Sequence, residues 1–123
     1  GGQMAPTTLL NQNATTTPGG RDQRLHGNPI DITRMLAVSD GVVFAERCAL
    51  SSIKGIRRAK KAIKKAFQSQ LDDMGFSIVE LLSPCPTNWK MSPKDAWAWV
   101  NDQMTQTYPL GVIKDTTGYE DKK

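Results

Sequence analysis

Apolar residues are scattered without period over the first 29 residues of this 123-residue chain and fall into register after Pro29. The early stretch is rich in Thr, Asn, Gly, Gln and Pro, and Thr7, Thr8, Thr15, Thr16, Thr17 and the Pro18-Gly19-Gly20 turn mark loop rather than regular structure. A structureless segment of that length is unusual inside a compact domain. It reads either as disordered or as a functional loop shaped by something outside it. After Pro29, Asp31 is placed to cap a short helix through Ile32, Met35 and Leu36 that ends near Ser39-Asp40-Gly41. Val42 to Cys48 reads as a strand. Ile53, Ile56, Ile63, Phe67, Leu71 and Met74 then recur at helical spacing, with Ala59 and Ala66 on the same stripe. That spacing predicts a helix over 53–74 with the stripe buried and Gly75 as its stop. The run Phe76 to Leu82 predicts a buried strand. Ser92 as cap, Pro93 at the first helical position and Asp95 in the first turn open another helix, whose buried stripe is Ala96, Trp97, Val100 and Met104. Tyr108-Pro109-Leu110-Gly111 ends it, and 111–123 reads as a tail.

Strand, long helix and strand in succession make a βαβ unit, which implies parallel pairing and a right-handed crossover. No internal repeat is visible. Two strands are a poor sheet, and a parallel sheet needs both faces covered. The fold class is therefore α/β, the C-terminal portion of an open, mostly parallel αβα sandwich. Residues 1–29 form an irregular segment, 30–110 a partial domain and 111–123 the tail.

Composition narrows the class. Hydrophobic content of 38% and a mean hydropathy of −0.45 describe a soluble domain. No apolar stretch approaches the ~20 residues of a membrane span, and a signal peptide is absent, so no membrane is involved. Cys48 and Cys85 form no CxxC and no disulfide framework, which points to the reducing cytoplasm. The chain opens at Gly1-Gly2-Gln3 and reads as cut from something longer.

The net charge of +4 is local. Seven of the sixteen basic residues (Lys54, Arg57, Arg58, Lys60, Lys61, Lys64 and Lys65) lie on the long helix, and the rest of the chain sets nine against twelve acids. Such a helix is the alternative reading of function, a small basic module for nucleic acid or an acidic protein. It lacks a nucleic-acid motif and interleaved aromatics, so a solvated amphipathic face is the plainer reading and no nucleic acid is expected. An acidic electron-transfer partner is a middle option.

The candidate chemistry sits at two places. Ser83-Pro84-Cys85-Pro86-Thr87-Asn88-Trp89 follows the second strand, and the flanking prolines leave Cys85 little backbone freedom. That suits a metal ligand or redox thiol, and equally a small apolar filler in a rigid turn. Gly1-Gly2 followed by Thr7 and Thr8 lets a backbone approach a phosphate, and is also what a plain linker looks like. His26 has no second histidine or carboxylate arranged beside it and reads as a solvated loop residue, while Cys48 reads as a buried filler. Trp89, Trp97 and Trp99 read as core or interface.

In order, the chain carries GGQMAPTT, TTTPGGRD, a parallel βαβ unit and SPCPTNWKMSP. That set resembles the β subunit of 2-oxoacid:ferredoxin oxidoreductases of the 2-oxoglutarate and 2-oxoisovalerate types, over roughly Gly1 to Asp115. The resemblance implies a thiamine-diphosphate-binding fold and oxidative decarboxylation of a 2-oxoacid to acyl-CoA and CO2, with electrons passing to ferredoxin. It implies thiamine diphosphate, Mg2+, a 4Fe–4S cluster and coenzyme A in the intact enzyme. The implied partners are the remaining part of the β subunit, an α subunit and in some members γ and δ subunits. Gly1, Gly2 and Gln3 would be the tail of the cofactor-binding loop, and Thr15, Thr16, Thr17 and Arg21 would belong to a loop draped over the site. Cys85 would be the fourth cluster ligand, the other three lying upstream, and this chain would supply no catalytic residue. A 4Fe–4S cluster takes four thiolates, which two cysteines cannot provide, so the chain alone is expected to be inactive. The family commonly has Pro-Tyr-Gly-Arg where this chain has Pro18-Gly19-Gly20-Arg21.

Overall fold

The computed structural model describes residues 4–119. Short polar side chains open its helices. The Asp22 carboxylate accepts from Arg24 and Leu25 N–H groups at the start of α1 (Gln23–His26). Asp31 caps α2 (Ile32–Ala37), accepting from Arg34 N–H at 3.0 Å. After β1 (Val42–Ala49), Ser52 caps α3 (Ile53–Leu71) through Gly55 N–H at 2.9 Å. β2 (Phe76–Leu82) leads into the single turn α4 (Pro86–Trp89). Ser92 caps α5 (Pro93–Trp99), which continues through a wider π-helical stretch, Val100–Met104, and a last turn, Thr105–Thr107. The expected tail instead begins with a strand, β3 (Gly111–Asp115).

The sheet order is β2-β1-β3. β1 and β2 run parallel, from Phe44 opposite Ser77 to Ala49 opposite Leu82, as the βαβ reading requires. β3 is antiparallel to β1 and completes an open three-stranded mixed sheet. Alternation along β1 divides two layers. Phe44 and Cys48 pack under Ala59 and Ala62 of α3, whereas Ala45 meets Ala37, and Ala49 meets Leu82, Val100, Met104 and Tyr108 on the opposite face.

Helix α3 ends at Leu71 rather than at 74 and is rotated from the expected orientation, so that of the expected stripe Ala59 is buried and Ala66 packs against the sheet, but the large side chains do not. Ala59, Ala62 and Ser69 are its buried residues, while Ile53, Phe67 and Leu71 are 68%, 68% and 79% exposed. Ile56, Ile63 and Met74 are each 37% exposed. The reason is closeness: a Cβ built on Gly55 would lie 2.1 Å from the Ala49 carbonyl oxygen, so only the small-residue side fits against the sheet. Gly75 does mark the turn into β2, because its φ of +138° and a Cβ position 2.9 Å from the Gly41 carbonyl exclude a side chain. Ala96, Val100 and Met104 are buried as predicted, but Trp97 is 43% exposed and Trp99 packs inward instead.

Two charged residues of β1 are buried almost completely. Arg47 stacks over the Tyr108 ring at 5.2 Å, donates to Glu80 at 2.5 Å and to the Pro109 carbonyl at 3.3 Å, and pairs with Asp31. Burial opposes its charge, but hydrogen bonds and attraction from Glu80 and Asp31 prevail and hold its pKa above the ordinary value. Glu46, on the other face, pairs with Arg58 of α3.

Candidate functional site

The polar N-terminal segment is organised by one side chain. Arg21 is 3% exposed. Its guanidinium donates to the carbonyls of Ala5, Pro6 and Thr8 at 3.1, 3.0 and 2.9 Å, and to those of Gly27 and Asn28 at 3.0 and 2.7 Å. A guanidinium offers five N–H donors in a rigid fork, which suits it to gather backbone carbonyls from two strands of loop. The loop is irregular, yet fixed. Gly20, at φ +88°, lies against Asn11, where a Cβ would come within 2.9 Å of the carbonyl oxygen. Gly19 faces open space.

This loop meets the Pro-Cys turn. The Thr15 hydroxyl donates to Asn88 Oδ1 at 2.9 Å, and Asn88 Nδ2 donates to Cys85 Sγ at 3.0 Å. Cys85 is half-buried at the N-terminus of α4, just past the end of β2, and Trp89 N–H donates to its carbonyl at 3.0 Å. A cavity of about 200 Å³ opens there, with Thr7, Thr8, Gln12, Ser83, Cys85 and Trp89 in its wall. The site therefore lies at the C-terminal end of the parallel pair, where open α/β sheets place ligands.

One wall residue is unsatisfied. Gln12 is 3% exposed, its Oε1 accepts from Leu9 N–H at 2.8 Å, and its buried Nε2 has no partner. A buried donor without an acceptor costs about 1–3 kcal/mol, a cost that a bound group bearing acceptor atoms would remove. Larger hollows exist elsewhere. One of about 550 Å³ between α2 and β3 is lined by Arg34, Val38, Leu110 and Lys114, with no cysteine, histidine or carboxylate in its wall.

The structure thus brings together Thr7, Thr8, the Thr15–Thr17 turn and Cys85, and keeps the other candidates apart. Cys48 is 2% exposed beneath α3, with its thiol 3.6 Å from Glu46 Oε1; burial first, then the Glu46 charge and hydrogen bond, push its pKa to about 12. It is the buried filler expected. His26 accepts from Asp22 N–H at 3.0 Å within its own turn. Gly1, Gly2 and Gln3 lie outside the described residues. Among the described residues no group of three or more His, Cys, Asp or Glu side chains could hold a metal. Sequence reasoning missed Gln12 and Asn88. Asn88 could have been found as an amide three residues after a proline-locked cysteine; nothing in the sequence distinguishes Gln12 from its polar neighbours.

Two archaeal relatives decide the family. Ketoisovalerate oxidoreductase subunit VorA of Methanothermobacter marburgensis is 42% identical over 115 residues, covering 94% of this chain and 24% of the relative. The 2-oxoglutarate synthase subunit KorB of Archaeoglobus fulgidus is 36% identical over 95 residues, covering 77% of this chain and 31% of the relative. The chain belongs to this family of 2-oxoacid oxidoreductase subunits. It spans about a quarter to a third of the length of the curated subunits it matches. No family model and no solved structure matches it. Within the family's frame, the mixed sheet with α3 on one face and α2 and α5 on the other is part of an open αβα sandwich. No helix among the described residues is long and apolar enough to cross a membrane.

Proposed function

We propose that this chain forms one wall of the cofactor site in a thiamine-diphosphate-dependent 2-oxoacid:ferredoxin oxidoreductase, with Cys85 as one thiolate ligand of a 4Fe–4S cluster. The observation that carries the reading is the Cys85 sulfur, held by Asn88 beside a cavity whose wall includes the orphan donor Gln12 Nε2. In the intact enzyme, thiamine diphosphate with Mg2+ supplies the electron sink for decarboxylating a 2-oxoacid, coenzyme A accepts the acyl group, and the cluster passes electrons singly to ferredoxin.

The residues of this chain bind and orient. Cys85 would supply a thiolate, its backbone restricted by the flanking prolines and its sulfur held by the Asn88 amide. Gln12 supplies an N–H for an acceptor on the bound group, which is the test of fit that this structure offers. One cysteine fits one corner of a cluster, so the remaining ligands must come from other parts of the assembly. Arg21 holds Ala5 to Thr8 against the cavity, and in this reading Gly1, Gly2 and Gln3 belong at the diphosphate. The remaining β-subunit sequence, an α subunit, ferredoxin and a cytoplasmic setting belong to this reading. Of the seven basic residues of α3, Arg58 and Lys65 turn inward to Glu46 and Asp115, so the basic helix is partly a structural device.

The test is iron and acid-labile sulfide content of the assembled enzyme. Cys85→Ser is expected to remove about four iron atoms per subunit together with the cluster absorption, and Cys48→Ser to leave both in place. Retention of a full cluster in Cys85→Ser overturns the assignment. The 123-residue chain alone should give no 2-oxoacid-dependent dye reduction.

A further inference from the structure

The sulfur of Cys85 has a neighbour that ligating iron does not by itself require. Cys85 precedes the single turn α4, and Asn88 is the third residue of that turn, so the two side chains rise on the same side. Asn88 Nδ2 lies 3.0 Å from Cys85 Sγ, and Asn88 Oδ1 lies 2.9 Å from the Thr15 hydroxyl. Thr15 sits in a tight turn that Ala14 and Thr17 close by exchanging backbone hydrogen bonds at 3.2 and 3.0 Å. That turn belongs to the segment anchored by Arg21. The amide is therefore held from two directions, by a proline-restricted turn and by a fixed loop 73 residues away in sequence. Cys85 also shares its cavity wall with Gln12, whose Nε2 is buried without an acceptor, so the cavity suits a bound group that bears acceptor atoms.

A sulfur bonded to iron has lost its proton and only accepts, so the amide must present Nδ2–H to it. The Thr15 hydroxyl, able to donate or accept, then donates to Oδ1. An N–H donor is worth more to an acceptor that carries more negative charge. Reduction adds one electron, released from the 2-oxoacid, to the iron, sulfide and thiolates together. No bond to Cys85 forms or breaks, no proton moves, and the electron leaves again to ferredoxin. Asn88 therefore favours the reduced state over the oxidised one, as hydrogen bonds to cluster sulfurs do. Cys85 and Asn88 are both half-buried, so water replaces the bond only poorly. We propose that Asn88, oriented by Thr15, is a positioning residue that raises the reduction potential of the cluster ligated by Cys85. The proposal rests on Cys85 being a cluster ligand, and the test separates failure of one from failure of the other.

The test is a potentiometric titration of the assembled enzyme, read by electron paramagnetic resonance on the signal that Cys85→Ser lacks. Asn88→Ala should keep iron and acid-labile sulfide at the parental level. It should shift the one-electron equilibrium about tenfold toward the oxidised form, a midpoint about 59 mV more negative. Asn88→Asp keeps the size of the side chain but sets a charged oxygen where the N–H was, so its midpoint should fall at least as far. Thr15→Val, which keeps the amide but removes the hydroxyl that orients it, should move the midpoint the same way by less. Thr87→Ala, at an exposed neighbour in the same turn, should leave it in place. With iron content intact, an Asn88→Ala equilibrium within about twofold of the parent, or a midpoint that rises, overturns the proposal and leaves the ligand assignment standing. Where Asn88→Ala holds no cluster, Thr15→Val carries the reading, and an unmoved midpoint there overturns it. A Cys85→Ser enzyme that keeps every signal overturns the ligand assignment and this inference with it.

Discussion

Replacing Arg47 by methionine removes the cation around which α2, both parallel strands and the Pro109 turn are joined. Its side chain is fully buried, and the substitution leaves Glu80, 16% exposed, without a counter-charge and Asp31, 26% exposed, with only the exposed Arg34 at 3.6 Å. Methionine refills much of the volume, so the dominant cost is electrostatic. Breaking a buried pair by removing one partner costs about 3–5 kcal/mol. A domain of this size has about 5–15 kcal/mol of total stability, so the variant should lose a third or more of it. Urea unfolding followed by far-UV circular dichroism at pH 7 measures the loss. The same reasoning requires Glu80→Gln to recover part of it in the Arg47→Met background while destabilising the parent chain, since Thr33 can still donate to the amide oxygen. A loss under about 1 kcal/mol, or a second substitution that recovers nothing, would refute the argument that an orphaned charge dominates.

Arg21→Met should release the segment from Ala5 to Asn28, because its carbonyls lose their shared donor. Limited proteolysis of residues 5–28 should accelerate at least ~10-fold while the sheet stays protected, and an unchanged cleavage rate would count against the anchoring role. Cys48 gives a pH signature. Its pKa of about 12 in the fold exceeds the ordinary 9.0, so its contribution is complete below pH 9 and is lost as pH rises toward 12, the unfolded chain ionising first. Between pH 9 and 10.5 the parent should lose up to about 2 kcal/mol more than Cys48→Ala in parallel urea titrations; superimposable slopes would argue against burial as the cause.

The elements were legible where local chemistry decides them. Asp31, Ser52 and Ser92 cap helices because each offers an oxygen to an N–H two or three residues on, and no distant residue alters that. The βαβ unit was equally legible, since the two apolar runs and the long periodic helix between them leave little topological choice. β3 was not, because Gly111–Asp115 has only Val112 and Ile113 as apolar residues and becomes a strand by pairing with β1. The half of the site around Cys85 was visible as a proline-locked turn. Its partners were not: Thr15 lies 73 residues away from Asn88, and the Gln12 donor is notable only because it is buried without an acceptor.

The sequence by itself determined the longer helices and the first two strands, that those two strands run parallel, and that one cysteine sits in a rigid turn at a strand end. These follow from capping, periodicity and proline geometry, all of which act within a few residues. Only the tertiary structure decided which side of α3 is buried. The most apolar stripe is the natural guess, but close approach at Gly55 admits only the alanine side, leaving Ile63 and Phe67 in solvent. It likewise decided that Glu46 and Arg47, charged residues in the middle of a strand, belong inside. Their counter-ions arrive from helices and strands distant in the sequence, and a buried charge is tolerable only once they are in place.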